Sequence, residues 1–312
     1  MLLVWPTKER PFLRAIAIIN EQASTVLELG SDIVDGLASR FQARGHELEV
    51  QLVSPEEIEK ALKFAAVRRE IDAVIVGGGD GSQSLAASLL AGTGKALGVL
   101  PLGTMNLLAR DLEMPFDLKE AVDALAEAQV DLIDLGDLNG RTFHSLAGLG
   151  FLARMARERQ RARFELPFAR WLALALALWR AITRIDRMLL EIETEDGKLV
   201  RRCSAVLVTN NIYRESEWTR ERMKDGLLEV HVVRGWTWLP LAKAGFDLVL
   251  GRWRQKGRIE SISAREITIT PRRHRIPVSI DGEIVFEHTP LQFRVRRAAL
   301  KVLRPIKLVP PA

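Results

Sequence analysis

The chain has 312 residues, of which 47% are apolar and 27% charged, with a net charge of +5 and a pI near 9.5. These ordinary values exclude a disordered or fibrous chain, and the length favours two domains. The single cysteine, Cys203, excludes an internal disulfide and is typical of a cytoplasmic protein. The mild positive charge suits a nucleotide or an acidic lipid surface, and we expect no nucleic-acid partner.

The N-terminal part alternates apolar segments of strand length with segments of helical spacing. The strand candidates lie at residues 15–19, 48–52, 73–76 and 97–100. Apolar residues recur at helical spacing over residues 26–41, and the Ser-Pro-Glu-Glu sequence at 54–57 is typical of a helix start. Apolar strands separated by helices indicate a parallel sheet covered on both faces. The sequence therefore predicts a three-layer, doubly wound α/β domain over residues 12–135.

After Asp134 the pattern changes to short segments of alternating polarity. Six segments are predicted strands, at residues 188–193, 205–209, 227–233, 259–263, 267–270 and 276–280. The Glu-Asp-Gly-Lys sequence at 195–198 is a strong turn signal between the first two. Helices are predicted near 165–185 and 237–250. We expect a mostly antiparallel β domain over residues 136–290, with 291–312 as a candidate for a return to the first domain.

A glycine-rich loop follows the third predicted strand and opens a helix. Its residues are Gly77, Gly78, Gly79, Asp80, Gly81 and Ser82. Open α/β sheets bind ligands beyond the carboxyl ends of their strands, and glycines let the backbone approach a phosphate. Asp80 would repel a bare phosphate, which favours a bridging Mg²⁺ or a nucleotide hydroxyl as its partner. The alternative is a tight turn in which Asp80 is an ordinary helix cap.

A second loop, Pro-Leu-Gly-Thr-Met-Asn at residues 101–106, follows the next predicted strand. Its Thr104 and Asn106 could donate hydrogen bonds to phosphate or sugar oxygens. The alternative is a plain strand-to-helix turn. Because neighbouring parallel strands end at one edge of a sheet, we expect both loops to line the same crevice.

Two carboxylates lie close together near the end of the chain, in Asp281-Gly282-Glu283. They follow a predicted strand, and either could take the proton of a hydroxyl during phosphoryl transfer. The alternative is a hairpin turn without chemistry, since Asp-Gly is a common hairpin signal.

A basic segment precedes the apolar run at residues 168–179. It contains Arg154, Arg157, Arg159, Arg161 and Arg163. Basic residues beside a Trp- and Leu-rich helix suit a position on an anionic membrane surface. The alternative is a buried helix preceded by a solvated basic segment. The longest apolar stretch, residues 171–179, is far below the roughly 20 residues that cross a bilayer, so we expect at most peripheral attachment.

Four motifs together resemble the catalytic family of the diacylglycerol kinases, in its soluble bacterial branch with sphingosine- and ceramide-kinase relatives. They lie at residues 78–82, 101–110, 225–230 and 281–283, and the resemblance extends from about residue 15 to residue 305. It implies an ATP-dependent kinase for a membrane lipid alcohol, diacylglycerol-like or sphingoid- or ceramide-like. It also implies Mg²⁺, a nucleotide in the interdomain cleft, and a cytoplasmic protein at the inner face of the membrane. A homodimer is left open.

The resemblance implies roles for individual residues. The residues implied to contact ATP are Asn20, Gly78, Gly79, Asp80, Gly81, Ser82, Thr104 and Asn106. Asp281 or Glu283 would be the general base that acts on the lipid hydroxyl. Asp225, with the backbone carbonyls of Arg222 and Leu227, resembles a structural Mg²⁺ site.

The chain departs from the family pattern near these residues. Residues 20–24 read Asn-Glu-Gln-Ala-Ser where Asn-Pro-x-Ser-Gly is usual, and Ser84-Leu85 replaces Asn-Glu. Met105 and Leu107 stand where Gly and Asp are common. Two alternatives stay open: a NAD-kinase-like small-molecule kinase, and a non-catalytic module that binds nucleotide or lipid. Lipid-dependent ATP consumption would exclude the first alternative, and nucleotide binding without turnover would favour the second.

Overall fold

The computed structural model describes residues 12–23, 25–26, 32–103, 105–165, 176, 179–180, 187–213, 220, 222–234, 243 and 259–306. The chain forms two compact units, Met1–Asp131 with Leu300–Ala312, and Leu132–Ala299. The first unit contains the parallel strands, and the second contains the antiparallel strands.

The first unit alternates strands and helices. Its strands are β1 (Arg14–Asn20), β2 (Glu47–Val53), β3 (Ala73–Gly78) and β4 (Ala96–Pro101). Its helices are α1 (Asp32–Gln42), α2 (Ile58–Val67), α3 (Asp80–Leu90), α4 (Leu107–Asp111) and α5 (Leu118–Ala126). The strands pair in parallel in the order β2-β1-β3-β4. A further strand, β5 (Gln129–Leu138), runs from the first unit into the second.

Burial explains this arrangement. All residues of β3 and β4 are buried, as expected for parallel strands covered on both faces. Helix α2 buries Ile58, Leu62 and Ala65, which share one face at helical spacing. Its first helical residue is Ile58, so the start predicted at residues 54–57 is too early. Residues 55–57 form a turn instead, in which the hydroxyl of Ser54 donates to the carboxylate of Glu57 (2.9 Å).

The second unit consists mainly of antiparallel strands. After β5 these are β6 (Arg141–Phe143), β7 (Leu146–Gly150), β8 (Met188–Thr194), β9 (Gly197–Asn210), β10 (Leu228–Arg234), β11 (Ile259–Ala264), β12 (Glu266–Pro271), β13 (Arg275–Ile280), β14 (Glu283–His288) and β15 (Leu291–Arg304). They pair in the order β14-β13-β7-β9-β8-β12-β15, and β10 pairs with both β9 and β11. Helix α6 (Phe151–Glu165) follows β7.

One face of these strands forms a continuous apolar core. Phe143 and Phe293 meet there edge to face, with ring centroids 6.3 Å apart. Cys203 belongs to the same core, and burial raises the pKa of its thiol to about 12. The lone cysteine is therefore a core side chain.

The predicted fold class is confirmed: a parallel α/β part is followed by an antiparallel β part. The six strands predicted in the second half all exist, although β9 begins eight residues before the predicted start at 205. The helices predicted near 165–185 and 237–250 fall almost entirely outside the described residues. The basic segment, predicted only as a flank of an apolar helix, is itself part of helix α6.

Candidate functional site

The glycine loop lies where three parallel strands of the first unit end together. Asn20 closes β1, Gly78 closes β3 and Pro101 closes β4, and the strand register sets Gly78 opposite Pro101. A Cβ atom at Gly78 would lie 3.7 Å from the Cβ of Asn20. The structure therefore brings Asn20 to the same sheet edge as the glycine loop.

The backbones of the two loops touch at a pair of glycines. A Cβ atom at Gly103 would lie 2.4 Å from the Cα of Gly79, which no side chain tolerates. In contrast, the nearest atom to a Cβ at Gly79 would be the Cα of Gly103, at 3.6 Å. Gly79 thus has room for a methyl group that Gly103 lacks. That open space is of the kind a phosphate oxygen can use to reach the backbone.

Asp80 joins the two loops through its carboxylate. Its Oδ1 accepts a hydrogen bond from the backbone N–H of Leu107 (2.6 Å), and its Oδ2 accepts one from Asn106 (3.1 Å). The carboxylate therefore caps α4, while α3, the helix that Asp80 itself begins, has no side-chain cap. Each carboxylate oxygen has a second lone pair, so these bonds leave capacity for a further donor or a cation.

The side chain of Asn106 forms hydrogen bonds with the backbone of its own loop. Its Oδ1 accepts from the N–H of Gly103 (3.0 Å) and its Nδ2 donates to the carbonyl of Gly103 (2.7 Å). The residue is buried and has a positive φ of 50°, which an asparagine tolerates better than most residues. Its amide thus shapes the loop, and its contact with a nucleotide stays a prediction. Thr104 lies outside the described residues.

Gln83 belongs to this site, and the motif analysis missed it. Its Nε2 donates to the carbonyl of Gly78 (3.1 Å) and to Oδ1 of Asn106 (3.2 Å). Its Oε1 is buried with no hydrogen-bond partner in the described part of the chain. The signal for it was an amide on the buried face of α3, beside Ala86, Ala87 and Leu90.

Gly81 and Ser82 lie in the first turn of α3. Gly81 is exposed, and a Cβ at Gly78 would lie 2.8 Å from the hydroxyl oxygen of Ser82. A helix N-terminus of this length, 11 residues, presents free N–H groups and a positive dipole end. Together with the space at Gly79, it fits an anionic group such as a nucleotide phosphate.

Asp281 occupies a tight hairpin in the second unit. Ile280 pairs with Glu283 across the turn, and Asp281 and Gly282 have φ values of 46° and 92°, which suit a two-residue hairpin. The carboxylate of Asp281 accepts three backbone hydrogen bonds, from the N–H groups of residues 144, 145 and 146 at 2.9–3.0 Å. Its side chain is 2% exposed, whereas Glu283 is exposed. The two carboxylates of this motif therefore have opposite environments.

Further polar groups lie at residues 144–146, whose N–H groups donate to Asp281. The hydroxyl of Ser145 lies 2.7 Å from that of Tyr213, and the guanidinium of Arg220 lies 5.7 Å from the Tyr213 ring. Arg220 also donates to the carbonyl of His144. No sequence motif indicated these residues, because their partners are far apart in the chain.

The loop with the predicted Mg²⁺ ligands is held by an asparagine. Asn211 donates its N–H to the carbonyl of Leu227 (2.9 Å), and its Oδ1 accepts from the N–H of Asp225 (3.0 Å). Arg222 is exposed and Asp225 half-buried. The carbonyl of Leu227 keeps a second lone pair, and carboxylate and carbonyl oxygens are the ligands Mg²⁺ prefers. Those two groups are compatible with the ion, but the described residues include no cluster of three or more His, Cys, Asp or Glu side chains suited to a metal.

Asp134 braces the same loop, and sequence reasoning missed that role. Its Oδ2 accepts from the N–H of Gly226 (2.8 Å) and its Oδ1 accepts from that of Ala298 (2.7 Å). The residue is buried, so both oxygens are satisfied by backbone donors.

The basic residues on α6 differ in their surroundings. Arg157 and Arg159 are exposed, and Arg161 forms an ion pair with Glu158 (3.3 Å). The side chain of Arg163 lies outside the described part. Nowhere in the described ranges does a helix have the length and apolar character needed to span a bilayer.

The first unit thus carries a glycine loop at the carboxyl edge of its parallel sheet, and the second unit, an antiparallel β unit, carries a buried aspartate. The model of the diacylglycerol kinase catalytic domain matches residues 14–138, and the YegS C-terminal NAD kinase beta sandwich-like domain matches residues 145–304. The chain therefore belongs to the diacylglycerol kinase family of lipid kinases, as the four motifs predicted.

Relatives agree with this assignment, and a solved structure has the same fold. A Streptococcus pneumoniae protein named "Putative lipid kinase" is 25% identical over 93% of this chain and 97% of its own length. A diacylglycerol kinase of Staphylococcus haemolyticus is 35% identical, but the alignment covers only 47% of this chain and 45% of that protein. The crystal structure of a diacylglycerol kinase from Bacillus anthracis has a TM-score of 0.71 at 18% identity, covering 96% of this chain and 100% of that one. At that identity, the structural likeness establishes the fold.

Proposed function

We propose that this chain is an ATP-dependent lipid kinase that phosphorylates the hydroxyl of a membrane lipid alcohol, diacylglycerol-like or sphingoid- or ceramide-like. One observation carries the proposal: the open backbone at Gly79, at the start of α3, lies inside the segment that matches the diacylglycerol kinase catalytic domain. Phosphoryl transfer depends mainly on positioning and on neutralising charge, and this loop suits both tasks.

The first unit would bind the nucleotide. N–H groups at the start of α3 would receive the phosphate oxygens, with Gly78, Gly79, Gly81 and Ser82 lining the approach. Asp80 and Asn106 would hold the second loop at the right distance from the first, and Thr104 is proposed to contact ATP as the family resemblance implies. Asn20, at the end of β1, would contact the nucleotide from the neighbouring strand.

Asp281 is the proposed general base for the lipid hydroxyl, with Glu283 as the second candidate. Three N–H donors fix the Asp281 carboxylate in one orientation. A base with a fixed orientation would meet each bound lipid hydroxyl in the same geometry. Glu283 is exposed and has more freedom. A positioned base contributes roughly 10²–10⁴-fold to a rate.

Mg²⁺ would neutralise phosphate charge when it accompanies ATP. A structural Mg²⁺ would be held by the carboxylate of Asp225 with the carbonyls of Arg222 and Leu227. The acceptor lies in a membrane, so the enzyme would work at the cytoplasmic face of an anionic bilayer, with the exposed arginines of α6 toward the lipid.

A second candidate is a kinase of a small soluble alcohol. The description of the domain matched by residues 145–304 names a NAD kinase-like β-sandwich, and that likeness favours such a substrate. The two proposals differ in whether ATP consumption requires lipid.

The deciding assay is radiolabelled ATP with a panel of lipid alcohols in mixed micelles, beside NAD and other soluble alcohols. We expect label in a lipid product only. Asp281→Asn should lower kcat by at least about 10²-fold with ATP affinity retained, because the nucleotide loop belongs to the other unit. Glu283→Gln tests the second candidate with the same loss of charge, and we expect it to be the milder of the two variants.

The outcomes separate the alternatives. Label in a soluble alcohol would replace the lipid kinase with the small-molecule kinase. Tight ATP binding with no product from any acceptor would favour a non-catalytic module. A large loss in Glu283→Gln together with an active Asp281→Asn would exchange the roles of the two carboxylates.

A further inference from the structure

Gln83 is a glutamine in the first turn of α3 that is 0% exposed. Its Nε2 donates to two acceptors, the carbonyl of Gly78 (3.1 Å) and Oδ1 of Asn106 (3.2 Å). Oδ1 of Asn106 is itself identified by the N–H of Gly103, which can only donate (3.0 Å). The opposite orientation of the Gln83 amide is therefore excluded, because its oxygen would face two acceptor oxygens.

This orientation leaves the amide oxygen of Gln83 without a partner. Oε1 is buried and accepts no hydrogen bond in the described part of the chain. A buried acceptor without a donor costs free energy, and an unbranched apolar side chain such as methionine would avoid that cost. What the amide adds at this position is the pair of hydrogen bonds that Nε2 donates.

The first of these bonds orients the peptide unit between Gly78 and Gly79. A trans peptide unit is planar, with its C=O and N–H pointing in opposite directions. Because Gln83 binds the carbonyl of Gly78, the N–H of Gly79 points to the other side of that unit. This N–H has no acceptor within the described ranges, and Gly79 is half-buried. The backbone N–H of Gln83 also donates to the carbonyl of Gly79 (3.1 Å), so one residue binds the carbonyl on each side of the Gly79 Cα.

The second bond connects this peptide unit to the neighbouring loop. Asn106 binds both the N–H and the carbonyl of Gly103 (3.0 and 2.7 Å). A Cβ atom at Gly103 would lie 3.2 Å from the backbone nitrogen of Gly79. Gln83 thus holds the two loops where their backbones touch. An anion that meets an N–H already turned toward it does not have to reorient that group on binding.

We propose that Gln83 is a positioning residue for the nucleotide: it fixes the peptide unit of Gly78 and Gly79 so that the N–H of Gly79 donates to a phosphate oxygen of ATP. Free N–H groups at a helix start are common donors to phosphate, and Gly79 directly precedes α3. This role rests on the proposed function only for ATP, since it does not depend on which alcohol accepts the phosphoryl group.

The first test removes the donor and keeps the shape of the side chain. Gln83→Met lacks both amide atoms, so its Kd for ATP should rise roughly 3- to 10-fold, as expected for the loss of one hydrogen bond. The amide proton resonance of Gly79 should move downfield when ATP binds to the wild type, and this shift should be smaller in Gln83→Met. Leu90→Met is the matched control, because Leu90 is buried on the same face of α3. It should leave both the Kd and the shift unchanged.

The second test, Gln83→Glu, changes the donor without changing the shape. An ionised carboxylate has no donor for the two acceptors, whereas a protonated carboxyl group has one. Burial raises the pKa of a carboxyl group, which favours the protonated form. Relative to wild type at each pH, the loss of ATP affinity in Gln83→Glu should therefore shrink as the pH falls.

The outcomes are separable. Wild-type ATP affinity in Gln83→Met, or a loss in Gln83→Glu that does not shrink at lower pH, would overturn this role for Gln83. An equal loss of affinity in Leu90→Met would overturn it too, because Gln83 would then only pack the helix. If Gln83→Met does not fold, the pH dependence of Gln83→Glu decides. A wild-type protein that binds ATP but phosphorylates no lipid alcohol would overturn the proposed function and leave the role of Gln83 standing, whereas one that binds no ATP would overturn both.

Discussion

The polar side chains of the glycine loop direct their hydrogen bonds to neighbouring backbone. Asp80 holds the N–H groups at the start of α4, and Gln83 holds the carbonyl of Gly78. Replacing either side chain would move the loop as well as remove a contact. Substitution of the glycines is a better probe of the phosphate site, because the atoms that an added methyl group would contact are known for each glycine.

Gly79→Ala and Gly103→Ala form a matched pair. At Gly79 the added methyl has 3.6 Å of clearance and φ is −84°, so stability should stay within about 1 kcal/mol of wild type. The same methyl would occupy the space proposed for a phosphate, so ATP affinity should fall at least about tenfold. At Gly103 the methyl would lie 2.4 Å from the Cα of Gly79, and overpacking should cost about 1–3 kcal/mol.

Calorimetric ATP titration and urea unfolding of both variants measure these two effects separately. A folded Gly79→Ala protein with wild-type ATP affinity would show that the phosphates bind elsewhere. Equal stability losses in the two variants would contradict the described contact between the loops.

Local motifs made half of the candidate site predictable. The glycine loop could be located because strand, glycines and helix are adjacent in sequence, and adjacency is what a motif records. The partners of Asp281 could not, since the N–H groups of residues 144–146 precede it by about 135 positions. Gln83 was missed for the same reason: its partner Asn106 lies 23 residues away.

At the scale of elements, charged residues that face solvent hid one helix and part of one strand from prediction by hydrophobic pattern. Strand β9 was predicted only over its buried run at 205–209, because residues 197–202 carry Lys198, Arg201 and Arg202 in the hairpin with β8. Helix α6 was hidden in the same way, since its arginines mask the apolar positions near its start. The hydrophobic pattern of a highly charged segment therefore does not show whether the segment forms a helix or a strand.

The exposed arginines of α6 lead to a test of membrane binding. Replacing Arg157, Arg159 and Arg161 by Gln should weaken binding to anionic vesicles roughly 100-fold, at about 1 kcal/mol per charge near the surface. The binding should also weaken with added salt, because exposed charges are screened. Vesicle sedimentation at two salt concentrations measures both effects.

The control for that test removes the same charge from another surface. Arg265, Arg272 and Arg273 flank β12 and are exposed, and their replacement by Gln should leave binding nearly unchanged. If both triple variants lose binding equally, net charge rather than α6 determines attachment. If neither does, the helix is a solvated face.

At the scale of the whole molecule, the first unit is not continuous in sequence. It also contains the residues from Leu300 onward, which follow the second unit in the sequence. Lys301 and Val302 of β15 pair in parallel with Ala96 and Leu97 of β4. A parallel sheet can recruit a strand from any point of the chain, so this pairing depends on contacts that no local pattern records.

The last residues of β15 should therefore control the stability of the nucleotide-binding unit. Leu303 is 2% exposed, and its Cδ1 lies 3.3 Å from where a Cβ at Gly98 of β4 would be. Leu303→Ala leaves a cavity against this strand and should destabilise the first unit by about 2–5 kcal/mol. Lys301→Ala, two residues earlier and exposed, is the matched control and should change stability by less than about 0.5 kcal/mol.

Hydrogen exchange of the β3 and β4 amides measures the effect of Leu303→Ala in the first unit directly, since local opening reports its own free energy. We expect these amides to exchange faster in Leu303→Ala, with the β7 and β13 amides of the second unit less affected. Unchanged exchange in β4 would mean that the first unit is held together without the end of the chain.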